Sequence, residues 1–345
     1  MIVFDGIIFS LQRNGGISVY FSELLSRFSR LEYESKLLMF GDNEVSLRMD
    51  QLPNRINVHS RQLERYRNVV ANEAKLFHSS YFRTAEYGDS LNISTVYDFT
   101  YERFMRGPKK WGHSWQKFRA LRKSDAILCI SESTKLDLQK YLPEITEDRI
   151  FVTPLAANAS FFSNIPTKCS EDYVVFVGAR GGYKNFDLLV RALQNLSDVR
   201  LFVVGGGTFS AGEISILEKF IPGRYFHQGN VTVERLKEIY SLAICLVYPS
   251  LYEGFGIPVL EAMLAGCPVI ALRSSSIPEV AGNAALLLES PDVGLLSDSI
   301  LRIAQSDTRL EFISGGRERA KLFSWDSTFS KTRSVYETLI GHSLN

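Results

Sequence analysis

The chain has few cysteines, few histidines and no long hydrophobic run. Four cysteines and five histidines are scattered along its 345 residues, and none of them has the close spacing of a zinc or redox site. No apolar stretch approaches the roughly 20 residues of a membrane span. The first ten residues, MIVFDGIIFS, lack the basic segment that opens a signal peptide. We therefore expect a cytoplasmic protein with buried free thiols and no metal site.

The chain also lacks an excess of charge of either sign. It has 39 Lys and Arg against 38 Asp and Glu, so a protein whose whole surface binds nucleic acid is not expected. A local basic patch is still compatible with this balance. With 45% hydrophobic residues, the chain is long enough to fold as two domains.

Short apolar runs that alternate with amphipathic segments predict an α/β fold with parallel sheets. The first run, IVFDGIIF (2–9), is predicted to be a strand, and a helix is predicted over 17–30. The alternation lapses between 155 and 172, which indicates a linker, and restarts with YVVFVG (173–178). Two doubly wound domains in series are expected to face a cleft that binds the ligand.

The same pattern divides the chain into three parts. We expect a first Rossmann-like domain over 1–165 and a second, ligand-binding one over 166–323. The remaining segment, 324–345, is predicted to be a helix that crosses back to the first domain.

A glycine-rich segment with two cations, FVGARGGYKNF (176–186), follows the first strand of the second domain and leads into a helix. The start of a helix beside Arg180 and Lys184 favours an anion such as phosphate, although solvated cations in a turn are the alternative. The next glycine run, VVGGGTFSAGE (203–213), does not have the spacing of a dinucleotide fingerprint. It indicates either a plain turn or a glycine wall beside a nucleotide.

Two glutamates flank a flexible turn in LYEGFGIPVLEA (251–262), just past a predicted strand. Seven residues separate Glu253 from Glu261, and the helix that carries Glu261 is predicted to start near Pro258. Each glutamate alone has an ordinary explanation, as a loop acid or as a carboxylate near a helix start. Together with the turn, they favour a polyol held by carboxylates beside an anion.

This segment resembles the E-x7-E signature of glycosyltransferase family 4, the retaining nucleotide-sugar transferases of the GT-B fold. The family's G-x-R-x-x-x-K element matches Gly178, Arg180 and Lys184, and its N-terminal glycine pair matches Gly15 and Gly16. The resemblance covers nearly the whole chain. The segments HSSYFR, TVYDF and VGARGGYKNF are also similar to bacterial mannosyltransferases of O-antigen and capsule assembly.

The resemblance implies a role for each matching residue. Arg180 and Lys184 would bind the donor diphosphate in place of a metal ion, Glu253 the transferred sugar and Glu261 the ribose. Asp98 would orient the acceptor, although an acid in a strand-end turn is an equal alternative, and the family's preceding histidine is Tyr97 here. The remaining donor-binding positions are Gly15, Gly16, Gly178, Gly254, Phe255, Gly256 and Ile257.

The implied reaction is transfer of mannose from GDP-mannose to a lipid-linked or oligosaccharide acceptor, with retention and without a cofactor. Another donor, such as a GDP-deoxyhexose or a UDP-sugar, is the alternative within the family. A nicotinamide-dependent oxidoreductase is disfavoured because the first strand lacks the glycine fingerprint. A non-catalytic sugar-nucleotide binder would keep the same site without turnover.

A basic segment, Arg103–Lys123, stands apart from these motifs. It holds eight Lys and Arg, no acid, and the interleaved aromatic residues Trp111, Trp115 and Phe118. A helix that packs through these aromatic residues and exposes its cations is one interpretation. The other is peripheral contact with an anionic membrane at the inner face of the cell membrane. Nucleic acid is not expected here because no nucleic-acid-binding module accompanies the segment.

Overall fold

The structure is a computed structural model that describes residues 1–12, 15–41, 54–86, 88–162 and 172–344. The chain divides into two units, Met1–Leu155 together with Trp325–Asn345, and Ala156–Ser324. Half of the predicted linker over 155–172, residues 163–171, lies outside the described residues, and so does Cys169. The other three cysteines are free and buried, as expected.

In the described part of the first unit, seven parallel strands form one sheet in the order β3-β2-β1-β4-β5-β6-β7. The strands are β1 (Ile2–Asp5), β2 (Ser35–Phe40), β3 (Asn54–Val58), β4 (Leu76–Ser79), β5 (Leu91–Val96), β6 (Ala126–Cys129) and β7 (Ile150–Val152). The helices that connect them are α1 (Ile7–Leu11), α2 (Gly16–Phe28), α3 (Thr100–Phe104), α4 (Pro108–Lys123) and α5 (Glu132–Tyr141). The inner strands are buried along their length, as expected for parallel strands covered by helices.

The strand predicted over 2–9 is wrong beyond Asp5, where β1 ends and α1 follows. The Asp5 carboxylate accepts a hydrogen bond from the Ile7 amide at 3.2 Å, which turns the chain directly after the strand. Ile7, Ile8 and Phe9 are then buried on a helix. A short, continuous apolar run does not distinguish these two structures.

The second unit repeats this arrangement with six parallel strands in its described part, in the order β10-β9-β8-β11-β12-β13. The strands are β8 (Tyr173–Val177), β9 (Arg200–Val204), β10 (Tyr225–Gln228), β11 (Leu246–Tyr248), β12 (Val269–Leu272) and β13 (Leu286–Leu288). The helices are α6 (Phe186–Gln194), α7 (Ala211–Phe220), α8 (Val233–Leu242), α9 (Ile257–Leu264), α10 (Ile277–Ala281), α11 (Val293–Ala304) and α12 (Ser306–Ala320). Both units therefore confirm the prediction of parallel α/β sheets.

The last helix, α13 (Trp325–Ile340), belongs to the first unit. Its Tyr336 ring stacks on Phe28 of α2 at a centroid distance of 5.0 Å, and its hydroxyl group hydrogen-bonds to His78 Nδ1. Thr328 Oγ1 donates to Pro154 O at 2.6 Å. Among the described residues, no helix is both long enough and apolar enough to cross a membrane.

Candidate functional site

The strand order of the second unit reverses between β8 and β11, which lie side by side in the sheet. In doubly wound sheets, ligands bind beyond the carboxyl ends of the strands at this switch point. The glycine-rich cationic segment follows β8, and the turn with Glu253 follows β11. The Leu251 amide donates to Tyr183 O at 2.8 Å and joins the two loops. Two segments that the sequence singles out separately therefore meet at one edge of the sheet.

Lys184 and Glu253 form an ion pair across this edge. Lys184 Nζ lies 2.5 Å from Glu253 Oε1, and the side chains are only 14% and 12% exposed. The ammonium group also lies 5.3 Å from the centroid of the Tyr248 ring. Partial burial strengthens such a pair relative to one in water. The predicted phosphate-binding cation and sugar-binding carboxylate are therefore each other's partner in this structure.

Arg180 lies in a different environment from Lys184. Its guanidinium group donates to the carbonyl oxygens of Gly205, Gly206, Gly207 and Thr208 at 2.9–3.1 Å. Nε donates to Glu213 at 2.8 Å, and the side chain is 2% exposed. Arg180 therefore holds the loop that follows β9, and its joint contact with Lys184 to one diphosphate stays a prediction.

The backbone conformation of this loop requires glycine at three consecutive positions. Gly205, Gly206 and Gly207 have φ of 78°, 72° and 72°, in the left-handed region that most residues avoid. A Cβ on Gly206 would lie 2.5 Å from Arg180 Nη1 and 2.6 Å from Gly178 O. The glycine run is therefore a turn built around Arg180, which is one of the two interpretations that the sequence left open.

The Gly254-Phe255-Gly256 turn leads from β11 into α9. Gly256 has φ of 112°, and a Cβ there would lie 2.9 Å from Ile277 Cδ1. Phe255 is buried, with its ring edge-on to Phe323. Helix α9 then begins at Ile257, so the predicted donor-binding residues are held in a fixed turn.

Three consecutive serines, Ser274 to Ser276, fasten this turn from the loop after β12. The contacts are Ser274 Oγ to Ser250 O at 2.8 Å, Glu253 N to Ser275 Oγ at 2.7 Å, and Ser276 Oγ to Glu253 O at 3.0 Å and Phe255 O at 2.8 Å. The sequence predicts no role for these hydroxyl groups. The signal in the sequence is three serines one residue after a strand, at the edge of the sheet that already holds the other motifs.

Glu261 lies in the second turn of α9, where the Tyr240 hydroxyl group donates to its Oε2 at 3.5 Å. Burial raises the pKa of its carboxyl group to about 7. Because both protonation states are populated near neutral pH, the group can accept hydrogen bonds as a carboxylate or donate one as an acid.

The other predicted residues lie in the first unit. Gly15 precedes α2, which begins at Gly16, and the two residues before Gly15 are not described. The Asp98 carboxylate accepts a hydrogen bond from the Thr100 amide at 2.9 Å, as an acid in a strand-end turn does. Buried His78 bonds to Thr95 and Tyr336, and burial lowers its pKa to about 3.

Residues 159–319 match the family described as glycosyl transferases group 1. The match covers just under half of the chain. It contains the Lys184–Glu253 pair, the Arg180 loop and Glu261, so the matched region includes the site in the second unit.

Two mannosyltransferases are similar in sequence. O-antigen chain mannosyltransferase B of Escherichia coli is 31% identical over 232 residues, which cover 62% of this chain and 60% of that protein. O-antigen chain mannosyltransferase RfbU of Salmonella typhimurium is 31% identical over 182 residues, 52% of this chain and 51% of that protein. The chain therefore spans between half and two thirds of these curated relatives.

Sucrose-phosphate synthase from Thermosynechococcus elongatus has a similar structure. The TM-score is 0.78 at 18% identity, over 99% of both chains. At this identity the likeness concerns the fold alone, and the predicted GT-B architecture of two Rossmann-like domains is confirmed.

Proposed function

We propose that the chain is a retaining glycosyltransferase that moves mannose from GDP-mannose to a hydroxyl group of a lipid-linked glycan in surface-polysaccharide assembly. The ion pair of Lys184 and Glu253 at the switch point of the second sheet carries the proposal. A diphosphate suits the cation, and sugar hydroxyl groups suit the carboxylate. The names of the two O-antigen mannosyltransferase relatives support mannose as the sugar.

The donor would replace the ion pair with contacts of its own. Diphosphate oxygens would take the place of Glu253 on Lys184, and the sugar hydroxyl groups would take the place of Lys184 on Glu253. Glu261 would accept from the ribose hydroxyl groups as a carboxylate, and the backbone amides of 254–256 would meet the sugar and phosphate. Arg180 would bind the donor diphosphate together with Lys184, from a position in which its N–H groups also hold the loop at 205–208.

In the proposed reaction, the bond between the sugar anomeric carbon and the phosphate oxygen breaks as the bond to the acceptor oxygen forms on the same face. The acceptor proton passes to the leaving phosphate oxygen. Lys184 stabilises the negative charge that develops on the diphosphate, which is the part that a metal ion plays in other transferases. Asp98 would orient the acceptor, and Gly15 and Gly16 would contact the donor, as the family resemblance implies.

Donor binding tests the proposal. In a thermal-shift panel of GDP-sugars, UDP-sugars and NAD(P), we expect GDP-mannose to raise the melting temperature most, since a ligand stabilises the folded state that binds it. Lys184→Gln and Glu261→Gln should remove the shift. Lys219→Gln and Glu311→Gln are matched controls at exposed positions and should keep it.

The outcomes of the panel separate the alternatives. A shift with UDP-sugars alone would replace the donor and keep the reaction class. A shift with NAD(P) alone would contradict the proposal and favour an oxidoreductase. Sugar-nucleotide binding without release of nucleotide in the presence of acceptor would identify a non-catalytic binder.

Glu253→Gln separates sugar positioning from nucleotide binding. The variant loses the ion pair and leaves Lys184 free for phosphate, so GDP affinity should be unchanged or higher. Turnover of GDP-mannose should fall at least about tenfold, because the contact to the transferred sugar is lost. Isothermal titration with GDP and a nucleotide-release assay measure the two effects, and unchanged turnover would refute the role of Glu253.

A further inference from the structure

The basic segment Arg103–Lys123 forms the end of α3 and all of α4, and it is used by none of the roles above. The side of α4 that packs on the first unit consists of His113, Gln116, Lys117, Ala120 and Leu121. Trp111 and Trp115 lie one helical turn apart on the opposite side.

These tryptophans are the most exposed aromatic residues of the segment. Trp111 is 72% exposed and Trp115 is 57% exposed. At the end of α3, Phe104 and Met105 are 40% and 44% exposed. The interpretation in which the tryptophans pack the helix against the protein is therefore wrong. Large rings in contact with water, gathered on one side of a helix, indicate a surface that another apolar phase covers.

The cations of the segment fall into two groups. Five bond to other groups of the first unit: Arg103 to Asp137, Lys110 to Glu102 O, Lys117 to Glu102, Arg119 to Asn68 and Arg122 to Glu144. The other three, Arg106, Lys109 and Lys123, are exposed and form no ion pair among the described residues. Positive charge is therefore left uncompensated on the segment that carries the exposed rings.

Seven exposed residues of this segment, here together named the α4 face, are Phe104, Met105, Arg106, Lys109, Trp111, Trp115 and Lys123. We propose that the α4 face docks on an anionic membrane surface. Indole rings favour the boundary between headgroups and acyl chains, because they are apolar with one polar N–H group. Lysine and arginine beside them are attracted to anionic headgroups.

The composition of the face favours a membrane over other occupants. Two copies of the chain related by a two-fold axis through this face would bring like charges together, which opposes dimer formation. Single-stranded nucleic acid would stack on the tryptophans, but it gives no role to Met105, and the chain as a whole carries no basic excess.

Co-sedimentation of the full chain with vesicles tests the proposal. We expect binding to phosphatidylcholine vesicles that contain phosphatidylglycerol, weaker binding at high salt, and little binding to phosphatidylcholine alone. The variant Arg106→Gln, Lys109→Gln, Lys123→Gln should bind at least about tenfold more weakly, and so should Trp111→Ala, Trp115→Ala. The control Lys219→Gln, Arg302→Gln, Lys331→Gln loses the same charge at exposed positions elsewhere and should bind like the unmodified chain.

Tryptophan fluorescence reports contact directly. Of the three tryptophans, Trp325 is only 6% exposed, so brominated lipids should quench Trp111 and Trp115 and leave Trp325 unaffected. The double tryptophan variant should then show no quenching. Equal binding to neutral vesicles, an equal loss in the control variant, or binding of an oligonucleotide but not of vesicles would overturn the proposal. None of these readouts depends on the proposed enzymatic activity.

Discussion

Glu261 is a carboxylic acid whose charge changes near neutral pH, because burial raises its pKa to about 7. In the unfolded chain, a glutamate has a pKa of about 4.3. Between these two values the folded state holds a proton that the unfolded state has released. The contribution of this group to stability is therefore largest below the lower pKa, falls as the pH rises from about 4.3 to about 7, and is constant above that.

We predict that Glu261→Gln stabilises the protein at pH 8, where the wild-type side chain must be ionised inside the protein. The free energy of unfolding should rise by up to about 3 kcal/mol, and the gain should shrink towards pH 4.5. Urea denaturation at several pH values measures it. Glu311→Gln, at an exposed position, should show no such trend. A gain that does not depend on pH would contradict the raised pKa.

Arg180 shows what residue patterns leave undetermined. Its distance of four positions from Lys184 predicts that the two cations share an anion. The structure adds contacts that this pattern does not predict, with carbonyl groups of residues 25 to 28 positions further along the chain. A motif reports which groups can donate hydrogen bonds, whereas the partner of each donor depends on how distant loops fold.

The turn that carries Glu253 is held in place by the loop after β12, to which the sequence assigns no catalytic or binding residue. Ser276 is fully buried, and its hydroxyl group bonds to two carbonyl oxygens on either side of Gly254. Without that hydroxyl group, both carbonyl groups would lose a partner. The turn would then lose its attachment to the loop after β12.

We therefore predict that Ser276→Ala destabilises the protein by about 1–3 kcal/mol, the usual effect of leaving buried polar groups unpaired. Urea denaturation measures this change. Under the proposed function, GDP-mannose turnover should fall while GDP affinity stays close to that of the unmodified chain. Ser197→Ala removes an exposed hydroxyl group and is the matched control. Equal stability of the two variants would show that these hydrogen bonds do not hold the turn.

Elements with apolar patterns were predictable, and those without them were not. Most strands of the second unit, such as β8, β11 and β12, are apolar runs bounded by glycine, proline or polar residues. Strand β3 is mostly exposed and polar, and nothing in its sequence indicates a strand. Helix α12 buries Arg309, Ile313, Gly316 and Ala320, of which only two are hydrophobic. Arg309 bonds to Ala243 O at 2.9 Å, a long-range contact that replaces the usual apolar stripe.

At the scale of the whole molecule, the chain returns to its first unit after completing the second. The sequence predicts α13 as a helix, but its contacts depend on residues far apart in the chain. The bond between Tyr336 and His78 joins residues 258 positions apart. Within the first unit, α13 covers His78 and Phe28, which would otherwise lose a hydrogen-bond partner and a stacked ring.

A chain that ends at Ser324 should therefore lose protection in the first unit. We expect hydrogen exchange at β1, β4 and α2 to be faster, because the surface that α13 covers becomes exposed to water. The strands β8 and β11 should exchange at unchanged rates and are the internal control. Tyr336→Phe should show a weaker form of the effect. Equal rates in both chains would mean that α13 contributes nothing to the first unit.

The carbonyl groups that surround Arg180 have a consequence for variation among related proteins. Arg180 donates to four carbonyl oxygens and to the Glu213 carboxylate. A lysine at this position has three N–H donors on one nitrogen and could not reach all five acceptors. The backbone conformation of the glycines at 205–207 in turn directs their carbonyl oxygens towards a guanidinium group. Positions 180, 205–207 and 213 are therefore expected to vary together, as one inherited unit, in sequences that descend from the same ancestor.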